Sequence, residues 1–80
     1  ETIITEPVTA NKVITLSNTR KWVMPTFKTT AAVQFTYEGA TYNVNGTLKT
    51  PNIILKEGEA TITLVSGSGN IVISYREGKL

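Results

Sequence analysis

The chain has 80 residues, enough for one domain, and a domain of this size buries only roughly 60% of the surface its unfolded form exposes. Eight Lys/Arg and six acidic residues, all Glu, give a net charge of +2, too weak and too dispersed for a nucleic-acid footprint. The absence of Cys, His and Asp excludes a disulfide framework, a Cys/His zinc site, Ser-His-Asp and Cys-His nucleophile arrangements, and Asp-based calcium loops.

Thr, Val and Ile are frequent while Ala and Leu are sparse, a bias toward pleated strands. In chain order, Thr2 to Ala10 carries Pro7 and lacks clean alternation, so residues 1–11 read as a linker or N-terminal arm and 12–80 as the folded domain. Val13-Ile14-Thr15-Leu16 reads as a short strand. Trp22 to Thr29 is extended, and Pro25 marks an edge strand, a bulge or a strand start. Val33, Phe35 and Tyr37 alternate with Gln34 and Thr36, and Tyr42 and Val44 repeat the pattern beyond a two-residue Glu38-Gly39 turn. Asn45-Gly46 is a further turn. Thr50-Pro51-Asn52 precedes Ile53-Ile54-Leu55, and Lys56 to Glu59 closes that short strand. Ile62 and Leu64 alternate with Thr61 and Thr63, Gly67-Ser68-Gly69 turns the chain, and Ile71, Ile73 and Tyr75 alternate with Val72, Ser74 and Arg76.

About seven short strands with frequent turns predict an all-β fold of two packed antiparallel sheets. The expected inner faces hold Leu16, Trp22, Phe27, Val33, Phe35, Tyr42, Val44, Leu55, Ile62, Leu64, Ile71 and Ile73. No apolar run approaches the roughly 18 residues of a membrane-spanning helix. Glu57 and Glu59 fall on one expected turn, whereas glycoside hydrolysis needs two carboxylates set across a cleft. The expectation is therefore a non-enzymatic module with no cofactor and no metal.

The candidate contact residues are Arg20, Lys21, Trp22, Asn43 and Asn45. Trp22 beside two cations suits a sugar platform or a protein anchor. Against this, a domain short of large side chains needs Trp22 in its core. The core reading is the expectation, and with it a cost of about 3–5 kcal/mol for Trp22→Ala. Asn43 and Asn45 suit a glycan, or local backbone partners at a strand-to-turn position. Arg20-Lys21, the only adjacent basic pair, reads first as a solvated loop and only second as a contact.

The tail of the sequence carries a more specific pattern. It runs Leu55-Lys56-Glu57-Gly58-Glu59-Ala60-Thr61-Ile62, then Gly67-Ser68-Gly69, then Ile73-Ser74-Tyr75-Arg76 and a final Leu80. With the Pro25-Thr26-Phe27 segment, this resembles the C-terminal domain of siphophage distal tail proteins over about Thr19 to Leu80. Ala60 departs from the Asn usual in that family, and the family's ring-forming N-terminal domain is missing. The resemblance, with an opening at Glu1 and no initiator Met, implies an excised domain or a small tail protein that has only this module. It further implies a galectin-like or jelly-roll-like β-sandwich located in the virion, at the tail tip or baseplate. Its implied partners are the tail tube, the tail-associated lysin and receptor-binding proteins, with homo-oligomerisation through a parent chain. "Galectin-like" describes topology only, and galectin sugar sites use a His that this chain lacks. Contact with host cell-wall glycan is the alternative function.

Overall fold

The computed structural model describes residues 2–76, and for 19–21 the backbone alone. The described residues form eight strands and no helix: β1 Thr2–Pro7, β2 Val13–Val23, β3 Thr26–Thr29, β4 Val33–Tyr37, β5 Ala40–Val44, β6 Thr47–Leu48, β7 Leu55–Gly67 and β8 Asn70–Tyr75. They form two four-stranded antiparallel sheets, ordered β1-β8-β3-β6 and β2-β7-β4-β5. First pairs with last, second with seventh, third with sixth and fourth with fifth. This nested pairing is the strand order of a jelly roll, a long antiparallel ribbon folded over on itself.

Among the described strands, β4 and β5 alone are joined by a hairpin within one sheet. Glu38 and Gly39 both have positive φ there, at 51° and 82°, as a two-residue turn matched to strand twist requires. The Gly67-Ser68-Gly69 turn instead carries the chain from one sheet to the other. At Met24-Pro25 the chain makes the same crossing, from the β2 sheet to the β3 sheet, and buried Pro25 precedes β3 where no ladder donor is needed.

The sheets close on a core that includes Leu16, Phe27, Phe35, Ile53, Leu55, Ile62, Leu64, Ile71 and Ile73, all fully buried. Phe27 from one sheet stacks on Phe35 from the other at 4.9 Å between ring centres, and Phe35 stacks on its cross-strand neighbour Tyr42 at 5.6 Å. Tyr37 and Tyr75 bury their rings and donate their hydroxyls to the carbonyls of Ile54 (3.1 Å) and Ser17 (2.6 Å).

Three expectations are corrected. The stretch read as an arm is strand β1, paired with β8 from Thr2–Tyr75 to Pro7–Asn70. Its side chains alternate between half-buried and exposed, and Ile4 packs on the core while Val8 enters it. The expected reversal at Glu57-Gly58 is absent, because β7 runs unbroken through it. Gly58, at φ 112°, lies where residues 19–21 of β2 oppose the single residue Glu57, a bulge between the Asn18–Gly58 and Trp22–Lys56 pairs. Trp22, expected in the core, is 72% exposed. Ile14, Leu16 and Asn18 point inward before the bulge and Val23 after it, so the bulge shifts the inward face from even to odd positions. That shift turns Trp22 outward.

Candidate functional site: a cleft beside Trp22

Where β2 ends and the chain crosses toward β3, alternation sets the local surface. Val23 and Pro25 are buried, so Trp22 and Met24 face solvent, with Met24 38% exposed. A cleft of about 360 Å³ opens beside them, lined by Trp22, Met24, Thr26, Lys49, Ser74 and Arg76 among others. Thr26 and Ser74 are cross-strand partners on β3 and β8, so their hydroxyls are held on a rigid ladder. Lys49 follows β6 and Arg76 follows β8. Ile3 of β1, 62% exposed, pairs with Ser74 and extends the apolar surface along the same row.

The charged side chains that line the cleft among the described residues are cations. Lys49 and Arg76 are exposed and line the cleft, and Lys56 lies directly opposite Trp22 on β7. No acidic side chain lines the cleft among the described residues. The ion pair the described residues form, Glu6 with Lys12 at 2.7 Å, lies elsewhere, on β1 and just ahead of β2.

Asn43 and Asn45 occupy a different place. They line a groove of about 320 Å³ with Val33, Gln34 and Ser66. Asn43, Gln34 and Ser66 form one cross-strand row over β5, β4 and β7. Ser66 is near the end of β7 and Lys56, the partner of Trp22, near its start, so this groove and Trp22 lie at opposite ends of the same sheet. The groove has neutral amides and a hydroxyl, without an aromatic face or a charge. Among the described residues, neither Asn43 nor Asn45 makes the local side-chain hydrogen bond to backbone that was one reading of them.

The structure thus separates the sequence candidates. Trp22 belongs to one site and Asn43 with Asn45 to another. The Arg20 and Lys21 side chains lie outside the described residues, and their backbone forms the bulge of β2. Sequence reasoning missed Lys49, Arg76, Thr26 and Ser74. The signal for the last two is the shared row of β3 and β8, which is invisible until the register is known. Glu57 and Glu59 sit on β7, with Glu59 accepting a 3.5 Å hydrogen bond from Ser17. No group of three or more His, Cys, Asp or Glu able to hold a metal occurs among the described residues. Among the described residues no helix is long and apolar enough to cross a membrane.

Compared with known proteins, the chain matches no family model, no curated protein and no solved structure.

Proposed function

We propose that this domain is a non-enzymatic docking module of a phage tail tip or baseplate, linking tail components or receptor-binding proteins. The observation that carries the docking part is the exposure of Trp22 with Met24 beside a cleft bearing Arg76. Trp, Met and Arg are residue types that protein interfaces concentrate, and an indole left 72% in water gains by being covered. The tail context rests on the order of sequence motifs from Pro25 onward. The test is location and dependence. Immunogold labelling of purified virions with antibody to the domain should mark the tail tip, and Trp22→Ala should reduce incorporation of partner proteins there. Virions that lack the domain altogether would refute the proposal.

A second reading is favoured by the same cleft. Sugar recognition needs an exposed aromatic surface with fixed polar groups around it, and Trp22 has the Thr26 and Ser74 hydroxyls with Lys49 and Arg76 about it. A carbohydrate-binding role toward cell-wall glycan is the alternative function.

A further inference from the structure

We propose that the cleft beside Trp22 takes an acidic saccharide, with the sugar against Trp22 and its carboxylate held by Lys49 and Arg76; this inference rests on the glycan reading above. The cleft combines three parts that one uronic-acid-type ring can use together. Trp22 supplies a broad apolar surface for the C–H face of the ring. Thr26 and Ser74 supply hydroxyls from paired positions on two strands, so their spacing is fixed before ligand arrives. Lys49 and Arg76 supply charge, and Arg can hold a carboxylate through two parallel hydrogen bonds.

The balance of charge decides between acidic and neutral sugars. Among the described residues two exposed cations and no acidic side chain line the cleft, and a third cation, Lys56, is the cross-strand partner of Trp22. Cations in such a cleft attract an anionic ring and offer a neutral ring no charge to pair with. The volume of about 360 Å³ falls within the range of small-ligand sites.

Topology argues against an extended acidic peptide as the occupant. Thr26 and Ser74 lie on β3 and β8, and both strands already have neighbours on each side in the order β1-β8-β3-β6. A peptide laid over Ser74 finds β8 already paired on both sides there, with Ile3 and with Thr26, and so gains none of the main-chain hydrogen bonds on which strand addition depends.

The experiment uses the 80-residue chain and three polymers: polygalacturonate, its fully methyl-esterified neutral form, and polyglutamate. The expected result is binding to polygalacturonate that weakens as salt is raised, at least about tenfold tighter than to either other polymer. Trp22→Ala and Arg76→Gln should each weaken it about tenfold while urea unfolding stays unchanged. Equal binding to the esterified polymer, lost in Trp22→Ala, would overturn the acidic assignment and leave the glycan reading standing. Equal binding to polyglutamate, insensitive to Trp22→Ala, would overturn it in favour of a charge-only or peptide site. Absence of binding to both polysaccharides would overturn the inference and the glycan reading together.

Discussion

Trp22 and Tyr37 show how little residue type alone says about placement. Trp22 has the largest side chain and stays outside, while Tyr37 carries a polar tip and goes in. Because Trp22 makes little use of the core, Trp22→Ala should change stability by no more than about 0.5 kcal/mol, in place of the several kcal/mol that a buried Trp costs. Urea unfolding of the variant checks this, and the native indole emission should already be close to that of the unfolded chain. Tyr37 has the opposite signature. Burial first, then the charge of Glu38 and the neighbouring Tyr42, raise its pKa above the ordinary 10.0. The unfolded chain therefore gives up this proton before the folded one does. The stabilisation from Tyr37 is complete below pH 10 and is lost as pH rises through the raised folded value. The urea midpoint should fall with a slope above about pH 10, and Tyr37→Phe should flatten that slope. The same substitution at neutral pH leaves the Ile54 carbonyl without its donor and should cost about 0.5–1.5 kcal/mol. Tyr37 shares the face of Val33 and Phe35 in the alternation, although the expected inner faces left it out. The exposed position of Trp22 was legible from one side only. Val23, Pro25 and Phe27 share an inward parity that sends Trp22 out, whereas counting forward from Ile14 and Leu16 sends it in.

At the scale of elements, the two counts are reconciled by the bulge of β2, and a single side chain fixes the ladder there. Asn18 is 3% exposed and donates Nδ2 to the carbonyls of Leu55 (3.1 Å) and Lys56 (3.2 Å), which lie past the point where the pairing slips. Its amide substitutes for backbone donors that the extra residues displace. Asn18→Ala should therefore cost about 1–3 kcal/mol, since the buried Leu55 carbonyl and the part-buried Lys56 carbonyl lose this donor, while Ser17→Ala next to it should be near neutral because its contact with Glu59 is exposed. Urea midpoints of the two variants, compared side by side, check the contrast. The bulge also explains why β7 was legible only in pieces. Glu57-Gly58-Glu59 has turn composition, and its Gly does adopt positive φ, yet that freedom serves a slip in register and the strand continues. A local signal for a special backbone conformation does not distinguish a bulge from a turn. What decides is the partner strand, some 40 residues away in the sequence for Asn18 and Gly58.

At the scale of the molecule, strand faces were readable because in-or-out depends on neighbours in sequence, and strand pairing was not, because it depends on distant ones. In the nested order, the first strand closes against the last, so β1 has no local partner to announce it. Its sequence even argues against a central strand, and correctly so: β1 is an edge, where Pro7 is tolerated. The edge still matters to the whole. β1 satisfies one side of β8, Ile4 packs on the core, Val8 is buried and its amide donates to the Gly69 carbonyl at 2.9 Å, and Glu6 pairs with Lys12. A domain of this length has roughly 4–12 kcal/mol of total stability. Losing the burial of Val8 alone removes about 1.5–3 kcal/mol, and each ladder hydrogen bond about 0.5–1.5 kcal/mol more. A variant that begins at Thr9 should therefore unfold at a far lower urea concentration or show no cooperative transition at all. An N-terminal arm outside the fold would leave the unfolding curve unchanged. Superimposable urea curves for the full chain and the 9–80 variant would restore that arm and remove β1 from the jelly roll. A collapsed or abolished transition shows instead that the ribbon needs its outermost pair, and that sheet β1-β8-β3-β6, which holds the Thr26 and Ser74 floor of the Trp22 cleft, is stable only when closed at that edge.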